Sequence, residues 1–185
     1  MQSGARAVKI WDVDKQNELL RRALHYTNND EIDKAIDSYT EAIGLNPRLV
    51  IAYNNRGYHY LAKADCDKAI ADLSKAIQLL PGNPLPYLHR ASAYRGKGDW
   101  DRAIADASEA IRLDPKHGHG YEIRGEAYAE RGDFDQAIRD LSKALKLNDQ
   151  EAVLWYPAPS GRPSTRSTTQ APSSAPRSST REEVG

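Results

Sequence analysis

His117 and His119, one glycine apart, have the strongest claim on metal chemistry in this chain. A neutral imidazole offers a nitrogen ligand, and His89 would approach His119 if the elements carrying them lie side by side. Two or three histidines without a placed carboxylate or thiol fall short of a ligand set. They read instead as solvated or peptide-contacting rings whose charge changes near neutral pH. The single cysteine, Cys66, stands where Trp100 and Phe134 stand in later segments, so it reads as a packing thiol and not a nucleophile. Gly96-Lys97-Gly98 falls in a turn between helices and is no phosphate-binding loop. No catalytic constellation emerges. The expectation is a protein that is not an enzyme and that holds no metal or cofactor.

The elements that carry these residues recur. Ala35, Ala69, Ala103 and Ala137 are spaced 34 apart, and each is followed by isoleucine. The same interval joins Tyr26, Tyr60, Tyr94 and Tyr128, the small residues Ala23, Gly57, Ala91 and Gly125, and Ala42, Ala76, Ala110 and Ala144. Pro47, Pro81 and Pro115 share it, with Asp149 where a fourth proline would fall. Each unit reads as two helices. In the second, Ala69, Ile70, Leu73, Ala76 and Ile77 share one helical face. Gly98 and Gly132 can supply positive φ at the inter-helix turn, and Asp99 and Asp133 then stand at N-cap places. The proline after each second helix stops it. Small residues where helices cross let backbones approach, so a larger residue at Ala69 or Ala103 should cost roughly 1–3 kcal/mol by overpacking. Arg56, Arg90 and Arg124 track Asp72, Asp106 and Asp140 at fixed offsets, with Arg22 facing Ser38 in the first unit. These pairs are expected to bridge the two helices of a unit.

Large and small residues at these offsets every 34 positions resemble the tetratricopeptide repeat, with Leu19, Tyr53, Tyr87 and Tyr121 at its large first-helix position. The second-helix aromatic is kept only as Tyr39 and becomes Leu73, Ala107 and Leu141, so the site around Ala107 is expected to be underpacked. The resemblance implies an all-α fold, a right-handed superhelical solenoid of four helix-turn-helix repeats with a disordered C-terminal tail. Residues 1–15 form an N-terminal extension, and the repeats occupy 16–49, 50–83, 84–117 and 118–151. Residues 152–156 are an aborted fifth repeat or partial cap ending at Pro157, with Trp155 at the large position, and 157–185 are the Ser/Thr/Pro-rich tail.

In such a solenoid the first helices line the concave face. The first repeat then offers Asn17, Leu20, Arg21, Leu24 and Asn28, and the second Ile51, Asn54, Asn55 and Tyr58. The third offers Leu85, Leu88, His89, Ser92 and Arg95, and the fourth His119, Glu122, Ile123 and Glu126. Amides centred on Asn54 and Asn55 suit the main chain of a bound peptide or helix. The subclass of this family that clamps chaperone C-termini uses Lys, Asn and Arg at five groove places. Here those places hold Leu20, Leu24, Asn55, Leu85 and His89, or, one repeat later, Asn54, Tyr58, His89, His119 and Ile123. A carboxylate needs charge-assisted donors to offset its desolvation, so chaperone tails are not the expected ligand. The chain's own ending, Glu182-Glu183-Val184-Gly185, is similar to such a tail but carries Gly185 in place of the terminal Asp.

Twenty-six basic and 26 acidic side chains leave a formal net charge of zero, which argues against a nucleic-acid surface or attraction to anionic lipid. One cysteine and no long apolar run point to a cytoplasmic protein. The function expected is a protein-interaction scaffold that binds a peptide or partner helix of another protein in the concave groove. The alternatives are a targeting or regulatory segment of a larger enzyme, and a self-associating module pairing through an uncapped C-terminal edge.

Overall fold

The structure, a computed structural model, describes the backbone of residues 2–155 and the side chains of residues 13–148. Among the described residues there are eight helices and no strand: α1 (Gln2–Asn28), α2 (Ile32–Leu45), α3 (Val50–Ala62), α4 (Cys66–Leu79), α5 (Pro84–Gly96), α6 (Trp100–Leu113), α7 (Gly118–Arg131) and α8 (Phe134–Trp155). They pair as four antiparallel hairpins, each packed on the next. The first helices α3, α5 and α7 also touch one another in succession, whereas α4, α6 and α8 make no comparable mutual contacts. Helices drawn together on one side and splayed on the other curve the stack, and the first helices take the inner face.

The small residues act as the repeat predicts. A β-carbon added at Gly57 would lie 2.7 Å from the Leu73 Cγ, and one at Gly125 would lie 2.8 Å from that of Leu141. Ala23 and Ala91, at the equivalent places, are fully buried, as are Ala69 and Ala103. Gly98 and Gly132 have φ of +73° and +90°, and the Asp99 carboxylate accepts a hydrogen bond from the Arg102 amide at 3.2 Å. In the first two hairpins the same turn is made without glycine, by Asp30 and Ala64 at φ of 60° and 57°.

Each arginine of the repeat does more than bridge its own hairpin. Arg56 grips Asp72 through Nε and Nη2, both at 2.7 Å, and its Nη1 donates to Thr40 of the preceding hairpin at 2.9 Å. Arg90 repeats this with Asp106 and Ser74, and Arg124 with Asp140 and Ser108. Arg22 bonds Ser38 and pairs with Glu41 instead. A second series joins neighbouring hairpins at the outer turns: Lys63 with Asp33, Lys97 with Asp67, and Arg131 with Asp101.

Two expectations are corrected. The region around Ala107 is filled: Leu88 and Ile123 close over it, with Leu88 2% exposed and Ile123 fully buried. No new helix begins at Glu151, because α8 runs unbroken from Phe134 to Trp155. Asp149 leaves the backbone N–H and φ free where the earlier repeats carry the proline that ends the helix. Residues 2–15 form the opening turns of α1. The proposed tail, 157–185, and the side chain of Trp155 lie outside the described residues.

Candidate functional site

The concave residues divide by what already holds them. Asn54 is buried and Asn55 half-buried, and both are tied into a chain that crosses three hairpins. The Asn55 amide donates to the Tyr39 hydroxyl at 3.1 Å, and the Asn54 amide donates to the Asn55 carboxamide oxygen at 3.1 Å. The Asn54 oxygen is then left to accept from His89 Nδ1 at 3.1 Å, which fixes the neutral tautomer with its proton on Nδ1. The amides that sequence reasoning assigned to a ligand are therefore largely spent inside the scaffold.

A second link runs beside the first. Thr27 donates its hydroxyl proton to the Ala23 carbonyl at 2.9 Å, so the His59 Nε2–H donates to the Thr27 oxygen, also at 2.9 Å. His59 is buried and stacks on Tyr39 with ring centroids 5.9 Å apart. Sequence reasoning passed over His59 because Ala93 and Ala127 hold its place in later repeats; its one periodic counterpart, His25, is exposed. Burial lowers the pKa of His59. His89 is lowered further, to about 4, chiefly by burial and then by the nearby rings of His119 and His117. Both rings are thus held neutral at ordinary pH.

Arg21 is exposed with its Nε donating to the Asn17 carbonyl at 3.3 Å, whereas the other charged groove residues are paired with one another. Arg95 bonds Glu126 across α5 and α7, and His119 Nδ1 lies 3.0 Å from a Glu122 carboxylate oxygen on the same helix. His117 and His119 have ring centroids 6.4 Å apart. Among the described residues no three His, Cys, Asp or Glu side chains converge as a metal-ligand set. Cys66 is half-buried, packed with Ala69, Leu73 and Ala93 and close to Gly96.

Beside the exposed polar residues Asn17, Arg21, Asn28 and His119, the inner face leaves large apolar side chains open. Leu24, Ile51, Tyr58 and Leu85 are exposed large side chains of α1, α3 and α5, and Tyr58 leans on His89 with centroids 5.2 Å apart. Asn17 is exposed, while Leu20 and Ser92 are half-buried, Leu20 against the Ala23–Tyr39 cluster. Leu88 and Ile123, expected in the groove, belong to the core, because the small Ala107 opposite them leaves a space that they fill. The structure thus brings Asn54, Asn55, Tyr58 and His89 together and withdraws Leu88 and Ile123.

The tetratricopeptide-repeat family profile matches residues 20–84 and again 88–152. Among solved structures, that of MamA superposes with a TM-score of 0.70 at 25% identity, covering 80% of this chain and 86% of that one. A thermophilic repeat protein of Thermus thermophilus gives 0.64 at 23% identity, over 72% of this chain and 75% of its own. The first repeat domain of Spaghetti (RPAP3), bound to the HSP90 peptide SRMEEVD, gives 0.63 at 20% identity, over 64% and 94%. Among the described residues no helix is long and apolar enough to cross a membrane.

Proposed function

Since the chain belongs to the tetratricopeptide-repeat family, we propose that it is a protein-interaction scaffold whose concave groove takes a segment of another protein through apolar side chains. The observation that carries this reading is the row Leu24, Ile51, Tyr58 and Leu85, exposed on a floor whose polar groups are already bonded to each other. A ligand that buries these four loses no hydrogen bond from the floor and gains the transfer energy of its own apolar face. Asn55 and Asn54 then act as the rigid base of the groove, with Asn17, Ser92 and the His119–Glu122 and Arg95–Glu126 pairs as its polar margin. The repeat domain of RPAP3 is bound to an acidic HSP90 peptide. Here Arg95, which faces the groove from α5, is already held by Glu126 and has no charge to spare for a carboxylate. An amphipathic helix or an extended apolar peptide is the better match.

Selection from a random peptide library, with the purified chain as bait, tests this directly. Enriched peptides should carry two or more large apolar residues at helical or alternate spacing. Their binding should fall at least tenfold in Ile51→Glu and in Leu85→Glu, with the far-ultraviolet circular dichroism spectrum unchanged. Enrichment of peptides ending in acidic residues, or binding indifferent to both changes, would overturn the reading.

A further inference from the structure

The outer face of α8 repeats a docking surface that the molecule uses three times, and none of the described residues covers it. Phe134, Ile138, Leu141 and Leu145 form one stripe along the helix and are 66%, 64%, 39% and 63% exposed. In the earlier hairpins the same stripe lies under the next first helix: Leu141 stands where Tyr39, Leu73 and Ala107 are at most 1% exposed. Beside the stripe, Ser142 repeats Thr40, Ser74 and Ser108, each of which accepts from the following arginine. Asp135 repeats Asp33, Asp67 and Asp101, each paired with a cation of the following hairpin.

We propose that this face is covered by the same face of a second copy, two α8 helices packing antiparallel about a two-fold axis between Ile138 and Leu141. That arrangement sets Phe134 against the partner's Leu145 and Ile138 against the partner's Leu141. Along the flank one residue further on, Asp135 meets the partner's Lys146 and Arg139 meets the partner's Ser142. An isologous contact requires such self-complementarity, and a parallel pairing would set the flank of Asp135 and Lys146 opposite the partner's Ala137 and Ala144, leaving both charges without a counter-charge. Lys146 and Arg139 are both exposed on α8, so the two cations needed are in place.

The other occupants within reach fit less well. Head-to-tail stacking would lay the stripe on the outer face of α1. There Glu18, Arg21 and His25 are exposed where α3 has Ala52, Asn55 and His59 against the preceding hairpin. Charged and polar side chains cannot replace the apolar cover. Residues 157–185 carry Val184 as their one larger aliphatic and no aromatic, too little to cover four large side chains.

Sedimentation equilibrium on the full chain and four variants decides it. The parent should have the mass of a dimer and Ile138→Glu that of a monomer, with helix content unchanged because residue 138 faces solvent within each copy. Asp135→Lys and Lys146→Asp should each weaken the dimer on the order of tenfold, since each turns two attractive contacts into repulsive ones. The double variant Asp135→Lys, Lys146→Asp should regain the parent affinity. A monomer at every concentration would overturn the proposal, whether the face is then bare or covered by the chain's own tail. So would a dimer that survives Ile138→Glu, a mass that climbs without limit, or a double variant no tighter than the singles.

Discussion

His89 couples burial to charge. Its pKa is lowered from 6.5 to about 4, while the unfolded chain keeps the ordinary value. Between those values the unfolded state binds the proton first, so this contribution to stability is complete above pH 6.5 and is lost as the pH falls towards 4. At pH 5 the loss is about 2 kcal/mol, with His59 adding in the same direction. Thermal unfolding at pH 5 and pH 7 should show the drop, and His89→Gln should flatten that part of the profile. Ala64 makes a separate test. Its φ of 57° suits glycine, and its place is taken by Gly98 and Gly132 in later hairpins. Ala64→Gly should therefore raise stability by about 0.5–1 kcal/mol in urea titrations. At this scale the sequence was legible where a residue is locked to the period, as with Gly98, Gly132 and the Arg–Asp pairs. It was opaque for Leu88, whose burial depends on the missing volume at Ala107 on the neighbouring helix.

At the scale of the helix, the crossing of two helices is what the small residues protect. Gly57 faces Leu73, which is fully buried and cannot move aside, whereas Gly125 faces Leu141 on the open side of α8. Gly57→Ala should cost about 1–3 kcal/mol by overpacking, and Gly125→Ala distinctly less, read as the difference in urea midpoints. The arginine staples give a second test. Arg90 and Asp106 are 19% and 10% exposed, and Arg90 also holds Ser74. Arg90→Ala should cost about 3 kcal/mol, and Arg90→Ala with Asp106→Ala less than the two singles added together. The bridge within a hairpin could be read from the offset of 16, but its reach to Thr40, Ser74 and Ser108 could not. A hydroxyl every 34 residues was available as a signal and went unread, since serine and threonine are unremarkable on a helix. The run-on of α8 was signalled too, by Asp149 in place of proline, and the apolar residues after it were read as a new helix instead.

Across the whole molecule, stability is a chain of nearest-neighbour contacts, so the hairpins protect each other unequally. Those built on α3–α4 and α5–α6 are covered on both sides, while α8 is covered on one. In the monomeric Ile138→Glu variant, amide hydrogen exchange should be slowest in α4 and α6 and fastest in α8, and an α8 protected like α6 there would contradict this account. The direction of the staples adds something that a static stack conceals. Every arginine of the series Arg56, Arg90 and Arg124 reaches back to a hairpin that precedes it, and Lys63, Lys97 and Arg131 of the outer turns do the same. In these two series a finished hairpin thus supplies the acceptors, presenting the segment still to come with a hydroxyl, a carboxylate and an apolar seam. That direction suits assembly in the order of translation, each completed unit offering acceptors that the next one fills.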